Sequence, residues 1–109
     1  MAREKFQTLT EQMFYILLCL RKECCGTDIM ARVSALTHGR VAVGPGTLYN
    51  LLESFLSAGM IAETKVEGRK RSYLITEAGQ TALENEYRRL LTLAADYETC
   101  IKEEGPGHA

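Results

Sequence analysis

Apolar residues are spaced along the chain in a way that separates it into four helical stretches and one pair of strands. From Met13 to Leu20 they crowd together. Thr10 stands ahead of them as a candidate N-cap, with Glu11 and Gln12 in the first turn, where the helix dipole favours acceptors. Arg21 and Lys22 followed by Gly26 predict an end near Glu23. Residues 1–8 are polar and predict a frayed start. A second helix is predicted from Thr27 to Leu36, because Ile29, Met30, Val33 and Leu36 share one face. Thr37-His38-Gly39-Arg40 reads as a turn and Val41-Ala42-Val43 as a short extended piece. Gly44-Pro45-Gly46 then marks a sharp break. The third helix is predicted from Thr47 to Ala58, with Leu48, Leu51, Leu52 and Phe55 on its buried face and Gly59 as its stop.

After Gly59 the period changes from 3.6 to 2. Met60 to Val66 and Arg71 to Ile75 alternate as strands do, and Glu67-Gly68-Arg69-Lys70 between them signals a β-hairpin. Arg69, Lys70 and Arg71 form a cationic tip. Thr76 is the N-cap of a last helix of about 25 residues that meets no breaker from Gly79 to Gly105. Leu83, Tyr87, Leu90, Ala94, Tyr97 and Ile101 recur on it at alternating steps of four and three, widened by Leu91 and Ala95. That is a heptad stripe. A small three-helix core cannot cover all of it, so the stripe predicts a dimer interface with the same helix of a second copy. The tail from Gly105 to Ala109 predicts disorder.

The fold class is therefore mainly α with a small β-hairpin: a winged helix-turn-helix over residues 1–75, a dimerisation helix over 76–104 and a tail over 105–109. A chain of 109 residues with 25% charged residues suits one domain. The net charge of −1 hides an asymmetry. Residues 1–75 carry ten Lys/Arg against seven Asp/Glu, a balance of +3, and residues 76–109 carry three against seven, a balance of −4. A mildly basic working part and an acidic end are implied. No signal peptide precedes the first helix, and no apolar run is long enough to span a bilayer, so a cytoplasmic protein without membrane attachment is expected. Cys19, Cys24, Cys25 and Cys100 show no metal-ligand spacing, and no metal or other cofactor is expected. The chain has no P-loop, no G-x-S-x-G and no H-E-x-x-H, and neither histidine is paired with a nucleophile. No catalytic residue is assigned, and the enzyme class is excluded.

The combination is suited to duplex DNA. A helix in the major groove meets base edges that differ in donors and acceptors, and a basic wing beside it can engage phosphates. Three motifs in order also resemble the PadR family of transcriptional regulators. These are residues 9–17 (LTEQMFYIL), Gly44-Pro45-Gly46-Thr47-Leu48-Tyr49 with Leu51-Leu52 and Gly59-Met60-Ile61, and Gly68-Arg69-Lys70-Arg71-Ser72-Tyr73 with Leu74, Thr76 and Gly79. The resemblance covers roughly residues 9–101 and fits the branch with one short C-terminal helix. It implies a homodimeric regulator, usually a repressor, on a pseudo-palindromic operator. Carried over by position, it implies DNA contacts from Thr47, Tyr49 and Asn50 at the start of the recognition helix, from Arg69, Lys70 and Arg71 on the wing, and from Tyr15 on the first helix. Glu53 and Ser54 stand where family members commonly carry a basic residue. The family also implies a small aromatic effector, for which Met13, Phe14, Tyr15, Tyr87 and Tyr97 are the available lining. Two other readings stay open from the residues: a winged-helix protein-interaction module, and a thiol sensor using Cys24, Cys25 or Cys100.

Overall fold

Thr10 does cap the first helix, its Oγ1 accepting the Met13 N–H at 3.2 Å. In the computed structural model, which describes residues 8–104, that helix is α1 (Glu11–Cys19). After it come β1 (Cys24–Cys25), α2 (Gly26–Leu36), α3 (Pro45–Ser57), β2 (Ile61–Glu67), β3 (Lys70–Ile75) and α4 (Glu77–Glu104). The expectations for the tail from Gly105 and for most of the polar start lie outside the described residues. α1 stops about one turn before Glu23. The chain leaves the helix to pair β1 antiparallel with β3, Cys24 opposite Tyr73 and Cys25 opposite Ser72. The Ile75 N–H also reaches the Leu20 carbonyl at 2.8 Å. The sheet therefore has three strands in the order β1-β3-β2 rather than two.

α2 ends on a left-handed pair, His38 at φ 55° and Gly39 at φ 77°. The Gly39 N–H returns to the Ser34 carbonyl at 2.8 Å. Such a reversal satisfies carbonyls that a helix end leaves open. The buried Thr37 hydroxyl fastens the loop beyond it, donating to the Val33 carbonyl at 2.9 Å and accepting the Val41 N–H at 3.0 Å. The expected extended piece at Val41–Val43 forms no strand; it is a loop whose two valines are buried in the core. Leu36, expected on the buried face of α2, is exposed.

α3 begins at Pro45, two residues before the expected Thr47. Gly44 is the N-cap, in extended conformation, and Pro45 occupies the first turn. Proline is tolerated there because the N–H it lacks would have no partner inside the helix. Leu48, Leu52 and Phe55 are buried as expected. With Ile16, Leu17, Leu20, Ile29 and Val33 they make the core. Each such side chain contributes about 1.5–3 kcal/mol through removal from water.

The β2–β3 hairpin turns through two residues, Gly68 and Arg69, rather than four. Gly68 has φ 63°, as a tight hairpin turn requires at its first central position. α4 opens on Thr76, whose Oγ1 accepts the Gly79 N–H at 3.2 Å and donates to the Gly59 carbonyl at 2.6 Å. It continues for 28 residues, about 42 Å at the helical rise. Only its first part enters the core, through Gly79, Leu83 and Glu86.

Candidate nucleic-acid interface

α3 presents Thr47, Tyr49 and Asn50 to the outside at its start. The same helical spacing that buries Leu48 and Leu52 turns these three away from the core. Tyr49 is 47% exposed and leans over the first residue of α2. A Cβ on Gly26 would lie 2.5 Å from the Tyr49 hydroxyl oxygen, so the missing side chain makes room for that ring. On the other side of Tyr49 the hairpin stands apart from α3, leaving an open cleft of about 700 Å³. Tyr49, Glu53 and Leu56 line it from the helix; Glu63, Tyr73 and residues 69–71 line it from the hairpin.

The structure brings Arg69, Lys70 and Arg71 to that cleft together but does not leave them alike. Arg71 Nη1 is held by Glu63 Oε2 at 2.7 Å. Arg69 and Lys70 have no ion-pair partner among the described residues. Glu53, which replaces the family's usual basic residue, lines the same cleft.

Tyr15 is placed elsewhere, beside the turn that precedes α3. Its hydroxyl accepts from Arg40 Nη2 at 3.1 Å, and the guanidinium carbon lies 5.9 Å from its ring centroid. Arg40 Nη1 donates to Glu11 Oε2 at 2.8 Å. Gln12 Nε2 donates to the Ala42 carbonyl at 3.1 Å, joining the start of α1 to the same loop. Sequence reasoning treated Arg40 as a turn residue; its place directly before Gly44-Pro45-Gly46 was the available signal.

Along α4 the stripe divides in two. Leu83 is a core residue of its own protomer, whereas Tyr87, Leu90, Ala94, Tyr97 and Ile101 are exposed, with Leu91 and Leu93 beside them. Glu86 was missed altogether. It is 3% exposed, accepts the Leu9 N–H at 3.1 Å, and takes two hydrogen bonds from Arg89 at 3.0 and 2.5 Å. The Arg89 bonds above all, with help from Leu9, hold its carboxyl below the usual range against the cost of burial.

Cys19, Cys24 and Cys25 are buried, and Cys100 is exposed. Burial pushes the Cys19 and Cys24 thiols up, away from the reactive thiolate. Among the described residues no cluster of His, Cys, Asp and Glu could hold a metal ion, and no helix is long and apolar enough to cross a membrane.

A helix-turn-helix whose third helix is exposed at its start, flanked by a basic wing and followed by a long helix, defines a winged-helix regulator. The model of the transcriptional regulator PadR-like family matches residues 16–85, and the chain belongs to that family. Its members are regulators of transcription and not enzymes. Solved structures share the fold. A PadR family regulator from Eggerthella lenta is 22% identical, with a TM-score of 0.69 over 82% of this chain and 80% of its own. A PadR-like transcription factor from Bacteroides fragilis is 24% identical, with a TM-score of 0.68 over 81% and 87%. RosR of H. salinarum is 20% identical, with a TM-score of 0.66 over 88% and 93%. No curated protein matches the sequence.

Proposed function

We propose that this chain is a sequence-specific DNA-binding regulator that acts as a homodimer and represses transcription. The observation that carries the reading is the exposed start of α3, with Thr47, Tyr49 and Asn50, beside a wing tip whose Arg69 and Lys70 are unpaired among the described residues. The first group is free to meet base edges and the second to meet phosphates. Two copies joined through α4 would set their α3 helices about one helical turn, roughly 34 Å, apart on a pseudo-palindromic operator. Such a regulator works in the cytoplasm, where the DNA is.

The test is an anisotropy titration with DNA from upstream of the protein's own gene, against a scrambled duplex, at two salt concentrations. Salt-sensitive binding that prefers the upstream DNA is expected. Absence of binding at low salt would replace this reading with a protein-interaction module.

A small aromatic effector is supported by a hollow of about 210 Å³ between α1 and α4, lined by Phe14, Leu18, Leu83 and Tyr87. A ligand specific to the native state raises the melting temperature. Phenolic acids and cationic drugs are the compounds to screen, and no shift with any of them would remove this part.

A further inference from the structure

Two arginines stand next to α3 with their charges already met. Arg40 lies in the turn ahead of it and donates to Glu11 at 2.8 Å. Arg71 lies alongside it on the wing and donates to Glu63 at 2.7 Å. Both pairs are exposed, the arginine side chains at 59% each. Exposed pairs of this kind add little to folding and are easily exchanged. A carboxylate offers guanidinium two oxygens in nearly the geometry that a phosphodiester does. The pairing is selective, because Arg69 and Lys70 at the wing tip have no such partner among the described residues.

Resting on the DNA-binding reading, we infer that Glu11 and Glu63 are internal stand-ins for DNA phosphates, which lower the affinity for any duplex backbone and thereby sharpen the discrimination made by α3. When a phosphate approaches, each arginine has two courses. It leaves its glutamate, which then repels the phosphate at close range, or it stays paired and releases no counterion. Either way the pair subtracts from the sequence-independent part of binding. The base contacts of α3 are untouched. The ratio of operator to random binding is therefore higher than the cation count of the surface would give.

The experiment compares wild type, Glu11→Gln, Glu63→Gln and Arg69→Ala/Lys70→Ala on a random-sequence duplex and on the upstream DNA, across a salt series. Each glutamine variant is expected to bind the random duplex about five-fold more tightly, with a salt slope steeper by up to ~0.9 per chain. Its preference for the upstream DNA falls. Arg71→Ala is expected to weaken the Glu63→Gln protein more than the wild type, a non-additivity that a merely structural glutamate would not produce. Since Glu11 also sits in the first turn of α1, where a negative charge is favoured, melting curves accompany each variant, and Glu63→Gln carries the decision if Glu11→Gln melts early. Unchanged or weaker random binding by a folded Glu63→Gln, while Arg69→Ala/Lys70→Ala flattens the slope, would overturn this inference alone. No salt-dependent binding by wild type would overturn it together with the DNA reading.

Discussion

The carboxylate of Glu86, buried on α4, accepts the backbone N–H of Leu9, 77 residues earlier in the chain, at 3.1 Å. The bond ties the segment entering α1 to the last helix at the point where α4 leaves the core. Because the carboxyl is held below its ordinary value of 4.5, the charged form is the one the fold favours. The stability it supplies is complete above that ordinary value and is lost as the pH falls through the lowered one. Glu86→Gln should therefore cost about 1 kcal/mol at neutral pH, the scale of one hydrogen bond weakened from charged to neutral. Urea titrations at several pH values should show the gap to wild type closing below pH 4.5. A gap that is constant with pH would mean that the charge of Glu86 contributes nothing.

Gly79 on α4 gives a prediction whose sign opposes helix propensity. Alanine is ordinarily better than glycine inside a helix by about 1 kcal/mol. Here the added Cβ would overlap the Met60 carbonyl oxygen, closer than any van der Waals contact, and would lie 2.7 Å from Ile75 Cγ1. Backbone cannot yield as the end of a flexible side chain can. Gly79→Ala should destabilise by about 1–3 kcal/mol, the usual penalty for overpacking. Differential scanning calorimetry decides it, and a raised melting temperature would contradict the close approach of α4 to Met60.

Much of this architecture is local, and the local parts were legible. Thr10 and Thr76 each place a hydroxyl where an open N–H must be met, and Gly44-Pro45-Gly46 can only break a helix or begin one. The alternation after Gly59 was enough to locate the hairpin. β1 was not legible, since two cysteines show no alternation and their strand exists only because β3 lies alongside. The same pairing shortened α1, overriding Arg21, Lys22 and Gly26 as stop signals. Leu83 shares its heptad position with residues that face outward; its burial depends on α1 packing across it. Glu86 and Arg40 went unread for a related reason. A charged residue announces itself in sequence, but its partner at Leu9 or Glu11 is set by the fold.

Thr47 and Asn50 should separate from the wing in a binding experiment. They are exposed on α3, where loss of a base contact costs about 1–3 kcal/mol of discrimination at one position and leaves the backbone contacts in place. Thr47→Ala and Asn50→Ala should change which duplexes are preferred in a selection from random DNA, with the salt slope unaltered. Arg69→Ala/Lys70→Ala should weaken all duplexes together and flatten the slope. If the α3 variants select the same sequences as wild type, base reading does not depend on these two side chains.

The bare half of α4 makes the last prediction. Beyond Glu86 the helix buries nothing in its own protomer, although Tyr87, Leu90, Leu91 and Tyr97 project from it. Tyr97 is 65% exposed. Apolar side chains gathered on one face of a projecting helix are rarely left to water, and the alternating steps of four and three suit a partner helix of the same kind. Light scattering on the wild type should give twice the chain mass of 12.2 kDa. Leu90→Glu/Tyr97→Glu should give the single-chain mass while retaining the helical signal, because neither residue belongs to the core. The same variant should lose affinity for the two-half-site duplex by a large factor, about 10²–10⁴ if the halves otherwise bind as one unit, and much less for an isolated half-site. A single-chain mass for the wild type would remove the dimer. An unchanged dimer in the double variant would move its interface away from this stripe.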